Sequence, residues 1–139
     1  MGSAFEWEKV FAYILRGSDL LVFEQPDRHG AGLQVPGGTL EVGEDPSAGV
    51  LREAMEETGL ARLSLVRALG TISGTWAGRT ARMYGFEVRS EDELLDTWEH
   101  GEYSYEEPIR FVFRWVRLPY AASALFPEQA HFAQVLAER

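Results

Sequence analysis

Apolar and polar positions divide the chain into short runs with different periods. Residues 10–15 are an unbroken β-prone apolar run, Gly17, Ser18 and Asp19 supply turn chemistry, and residues 20–24 are a second run. Together they predict a β-hairpin. Residues 26–32 read as loop. Residues 33–42 read as extended, but Pro36, Gly37 and Gly38 interrupt them, which a regular central strand does not tolerate. The period then becomes helical. Asp45 suits an N-cap, Pro46 the first helical position and Gly59 a left-handed C-cap. Between them Ala48, Leu51, Ala54, Met55 and Thr58 fall on one face, with Glu53, Glu56 and Glu57 expected on the opposite one. Further strand-like runs cover residues 63–72, 81–88 and 111–118. In the last, Phe111, Phe113 and Trp115 alternate with Val112, Arg114 and Val116. Residues 90–108 read as a long acidic connection, and residues 127–138 as a short amphipathic helix with Phe132, Val135 and Leu136 inward.

This mixture predicts an α/β (α+β) fold with a mixed sheet between helices. At 139 residues, with no repeat or linker, residues 1–139 are expected to form one domain. The composition narrows the function. There is no Cys, which excludes disulfides, thiolate catalysis and Cys-ligated zinc. A net charge of −9 argues against duplex nucleic acid as a partner, because binding it needs a basic stripe. Residues 1–9 lack the pattern of a signal peptide, and no run approaches the roughly 20 apolar residues needed to span a bilayer. The expectation is therefore a cytoplasmic protein with no membrane partner.

Chemistry concentrates in residues 38–60. Glu53, Glu56 and Glu57 are related by three and four positions, so they project as neighbours from one helix. Carboxylates at such spacing repel each other by roughly 1–3 kcal/mol per pair, and a hard divalent cation turns that cost into a gain. By themselves the three glutamates read as a solvated helix face. The flanks alter the balance. Gly37 and Gly38 permit close backbone approach, Glu44 brings a fourth carboxylate, and Arg52 can orient a carboxylate from the side.

Gly38, Glu44, Arg52, Glu53, Glu56, Glu57, Gly59 and Leu60 match, at the required spacing, the motif G-x5-E-x7-R-E-U-x-E-E-x-G-U, where U is aliphatic. The segment thus resembles the Nudix box, with Ala54 standing where a larger aliphatic residue is typical. The resemblance implies an α/β/α sandwich and hydrolysis of a phosphoanhydride bond in a nucleoside diphosphate linked to another moiety. A nucleotide sugar, an ADP-ribose-like compound, a nucleoside triphosphate or a dinucleoside polyphosphate would each qualify. It implies Mg²⁺ or Mn²⁺ held by Glu53, Glu56 and Glu57 with the Gly38 carbonyl, and Arg52 holding a metal-binding glutamate in place. Glu44, Gly37 and Gly59 support the loop and helix. The partner it implies is a small nucleotide-like molecule, with a homodimer as one assembly open to the chain.

For the general base, Glu56 and Glu57 stand within the motif, and Glu99 and Glu102 are the choices from residues 90–108. The alternative reading is a Nudix-like module that binds a nucleotide or metabolite without cleaving it. Trp98, Tyr103 and Tyr105 are candidates to stack on a base, and Arg79, Arg82 and Arg110 to clamp phosphate. His29, His100 and His131 lack ligand spacing.

Overall fold

A computed structural model describes residues 5–28, 30–102 and 108–138, with Glu102 described in its backbone only. His29, Tyr103, Tyr105 and the side chain of Glu102 therefore lie outside the described residues. Among the described residues the order is β1 (Trp7–Arg16), β2 (Asp19–Glu24), β3 (Gly37–Thr39), α1 (Pro46–Thr58), β4 (Leu63–Trp76), β5 (Arg79–Ser90), β6 (Thr97–Glu102), β7 (Ile109–Arg117), α2 (Leu118–Ala124) and α3 (Pro127–Ala137).

The fold is mixed α+β. One seven-stranded sheet runs β4-β5-β1-β2-β7-β6, with β3 pairing off this path on β1. The β1–β2 hairpin forms as expected, its register closing at Arg16 opposite Asp19. β1 pairs parallel with β5, and the remaining pairings are antiparallel. Both faces of β1 are buried. Phe11 and Tyr13 enter one core with α2 and α3, while Val10, Ala12 and Ile14 enter the other with α1. A strand covered on both faces needs apolar residues at every position, which is why this run lacks alternation.

Two contacts of α3 lock that layer to the sheet. Gly85 leaves the room that the Phe132 ring occupies, and a Cβ there would overlap it. The Tyr13 hydroxyl donates to the Gln129 carbonyl at 2.6 Å, while the Gln129 side chain accepts from the Val35 N–H at 2.9 Å. This second bond fixes the segment leading into Pro36.

The structure departs from the pattern reading at three places. Residues 90–108 contain β6, which pairs with β7 along its length. Its polar, acidic composition hid it, because an edge strand is satisfied on one side only. α2 follows β7 directly, since Pro119 starts a helix well but leaves little periodic pattern in seven residues. In α1 the buried stripe is Gly49, Val50, Ala54 and Thr58, whereas Ala48 and Met55 are exposed. Leu51 packs part-buried against the same core. The helix is rotated from the expected face, so Glu53 and Glu57 flank the buried stripe and do not oppose it.

No helix among the described residues is long and apolar enough to cross a membrane.

Candidate active site

The site lies where α1 meets β3, and local sequence sets both. Asp45 caps α1, its side chain accepting from the N–H groups of Ser47 (3.1 Å) and Ala48 (3.2 Å), and Pro46 follows at the first turn. Gly59 ends the helix at φ 78°, its N–H bonded to the Met55 carbonyl. β3 runs against β1, with Gly38 opposite Val10, and the Pro36 carbonyl accepts from the Ala12 N–H at 2.8 Å. The two glycines are required by contact and not by backbone angle. A Cβ on Gly37 would strike the Val10 carbonyl, and one on Gly38 would occupy the place of the Glu53 carboxyl. Helix and strand meet at a distance only glycine permits.

Arg52 organises the carboxylates. Its Nε and Nη2 donate to Glu44 at 2.7 and 2.8 Å, a two-point bond, and its Nη1 donates to Glu53 at 2.9 Å. Weaker bonds reach Glu56 at 3.3 Å and the Thr39 carbonyl at 3.4 Å. The planar guanidinium supplies this many directed donors where an ammonium would not. Glu44 also accepts from the Glu41 N–H at 3.0 Å, so it ties the preceding loop to the helix. Its hydrogen bonds to Arg52 pull its pKa down to about 2, and the same bonds push Arg52 further up. Glu53 behaves oppositely. Burial raises its pKa, against the lowering effect of Arg52. Glu57 accepts from the Gly37 N–H at 3.2 Å, and Glu56 is about half exposed.

These groups border a cleft of about 610 Å³ whose lining includes Gly37, Gly38, Glu53, Glu56 and Glu57. Lys9 enters it from β1, bonded to Thr39 Oγ1 at 2.9 Å. Burial lowers its pKa, opposed by the charges of Glu53 and Glu57. The lysine was not expected from motifs, but its phase is informative, because it shares the inward face of β1 with Phe11 and Tyr13. Arg28, Gln25 and Trp76 also line the cleft without a motif to announce them.

The donor set fits a divalent cation. It offers the hard carboxylate oxygens of Glu53, Glu56 and Glu57, that of Glu53 half-buried at a charge cost, beside the Gly38 backbone, with the Lys9 ammonium bordering the same cleft. Among the described residues no three acidic or imidazole side chains are gathered as a ready-made ion site.

The other expected residues lie elsewhere. Glu99 pairs with Arg110 and is not part of the cleft lining. Trp98 stacks on Phe113, with centroids 5.1 Å apart, and donates to the Thr58 carbonyl at 2.9 Å, so it is packing between α1 and the sheet. Arg79 and Arg82 approach Glu6 and Glu8. His100 abuts Gly59, and His131 meets Phe132 edge-on.

The NUDIX domain family model matches residues 7–136. Among curated proteins no sequence match was found. Solved structures share the fold. A NUDIX hydrolase from Nitrosomonas europaea superposes with a TM-score of 0.72 at 22% identity, covering 95% of this chain and 88% of that one. A C. elegans Ap4A hydrolase in a binary complex gives 0.68 at 16% identity, covering 95% and 96%. A UDP-X diphosphatase gives 0.69 at 19% identity, covering 99% of this chain and 66% of the other.

Proposed function

The chain belongs to the NUDIX family, whose hydrolases act on phosphorus-containing anhydrides, and from this premise we propose a divalent-cation-dependent enzyme that cuts a phosphoanhydride bond in a nucleoside diphosphate linked to a further group. The observation that carries the reading is the Arg52 network. One guanidinium holds Glu44 and Glu53, with Glu53 packed where Gly38 has no side chain. A surface ion-pair cluster would not require that close approach.

Glu53, Glu56, Glu57 and the Gly38 carbonyl would hold Mg²⁺ or Mn²⁺. When bound, the cation neutralises the diphosphate, polarises the bond to be cut and lowers the pKa of water. Arg52 contributes by position, orienting Glu53 and opposing the burial that favours its protonated form. Glu56 and Glu57 are the helix carboxylates able to take a proton from the attacking water. Both border the cleft, whereas Glu99 is engaged by Arg110 outside it. Lys9 brings positive charge to a cleft that must accept phosphates.

The test is a substrate panel with Mg²⁺ or Mn²⁺: nucleoside triphosphates, dinucleoside polyphosphates, nucleotide sugars and ADP-ribose. At least one should release a nucleoside monophosphate or phosphate. Glu57→Gln should slow that reaction by about 10²–10⁴-fold, the contribution of a well-placed general base. A wild-type protein that binds nucleotides but is silent across the panel would be a binding module instead.

A further inference from the structure

The two edges of the sheet are built differently. β6 is six residues long and carries Glu99 and Glu102, and brevity and charge are what keep an edge from pairing with another chain. β4, at the other edge, runs for 14 residues with no acidic residue, no Lys and no Pro. Its single charge, Arg67, is held by Glu87 at 3.0 Å. Register shifts between Leu65 and Arg67 and between Ala68 and Gly70 disturb its first half, but residues 70–76 follow β5 without interruption. We propose that this stretch is a dimer contact, on which a second copy of the chain lays its own β4, antiparallel about a twofold axis through Ser73. The contact is independent of the chemistry of the cleft.

The stretch fits itself. Antiparallel pairing centred on Ser73 sets Gly70 opposite Trp76, Thr71 opposite Thr75 and Ile72 opposite Gly74. Gly70, Ile72, Gly74 and Trp76 share the face towards α3. Ile72 and Trp76 pack on that core, and a Cβ on Gly70 or Gly74 would point at Phe132 or Met83. Each bulky side chain thus meets a partner position that has none, and can cover the backbone the glycine leaves bare. Thr71, Ser73 and Thr75 alternate onto the other face, are exposed, and make no hydrogen bond among the described residues. Across the axis they form one row of hydroxyls, a favourable cross-strand pairing.

Charge and symmetry select a second copy as the occupant. Each chain carries a net −9, so two copies repel over most of their surface and meet most easily where no acidic residue stands. A twofold contact also requires every residue to suit its own symmetry mate. The mirrored order of small, hydroxyl and bulky residues about Ser73 meets that condition, which a foreign peptide would not impose.

The test uses the full chain at about 1–100 μM, with mass measured by sedimentation or light scattering. The mass should rise with concentration towards twice the 15.6 kDa of one chain. Ser73→Lys puts two ammonium groups face to face on the axis and should return the mass to that of one chain, with circular dichroism unchanged because the position is exposed. Ser73→Cys supplies the chain's only thiol, at the one position that meets itself, so mild oxidation should link two copies. Ser64→Cys, exposed on the same strand but opposite no residue of the partner's β4, should not link. The near-isosteric Ser73→Cys keeps the test valid even if Ser73→Lys fails to fold. A wild type of single-chain mass throughout, a dimer left intact by Ser73→Lys, or linkage as ready at Ser64→Cys as at Ser73→Cys would overturn the contact.

Discussion

At Gly38 the absence of a Cβ matters because the Glu53 carboxyl fills its place. Gly17, Gly43 and Gly78 serve turns, but at Gly38 the demand comes from a neighbour across the fold. Gly38→Ala should therefore push Glu53 out of the Arg52 network. Overpacking of this kind typically costs about 1–3 kcal/mol of stability. The larger effect should be on Mn²⁺ affinity, measured by calorimetry or electron spin resonance. A variant with unchanged ion affinity and unchanged Tm would show that the contact is incidental. Arg52 acts through its partners, because it is not itself in the cleft lining but bonds Glu53 and Glu56, which are. Its loss should act through Glu53, lowering ion affinity or activity by about 10–100-fold, with Arg52→Lys no better than Arg52→Gln.

At the scale of one element, α1 is bounded by features written in its own residues. Asp45 satisfies two N–H groups of the first turn, and Gly59 takes the left-handed angle that other residues resist. Asp45→Ala should cost about 1 kcal/mol in thermal or urea unfolding, with modest loss of activity because the acidic residues lie further along. A loss of activity far exceeding the loss of stability would mean that the cap also sets the site. The face the helix buries is another matter. Periodicity alone placed Ala48 and Met55 inside and the glutamates opposite, yet Val50, Ala54 and Thr58 are inside and Glu53 lies beside them. The difference is a modest rotation. It is decided by what the sheet presents, since Gly37 and Gly38 leave room for carboxyl groups and Leu40 packs closely on Gly49.

For the whole molecule, the Glu44–Arg52 pair joins the loop after β3 to the middle of α1. It therefore contributes to folding as well as to the site. The Glu44 pKa is lowered from an ordinary 4.5 to about 2. A depressed carboxylate pKa stabilises the folded state fully above the ordinary value, and this stability is lost as pH falls from 4.5 through 2. Unfolding midpoints should thus fall with acidification across that window, and Glu44→Gln should flatten part of the slope. An identical slope in the variant would place the acid sensitivity elsewhere.

Much of this protein could be read without coordinates. The β1–β2 hairpin, the limits of α1, α3 and the spacing of Glu44, Arg52, Glu53, Glu56 and Glu57 are local facts. They follow from capping, turn chemistry and short-range periodicity, which act over a few residues. β6 escaped because an exposed, acidic edge strand has no apolar signature and exists through its pairing with β7. Trp98 looked like a stacking surface but is packed on Phe113, and Glu99 looked like a base but is taken by Arg110. Lys9, Arg28 and Trp76 come together from β1, the segment after β2 and the end of β4. Chain spacing sets which carboxylates can share a helix turn, whereas only folding sets which distant side chains face them, because that depends on contacts between residues far apart in the chain.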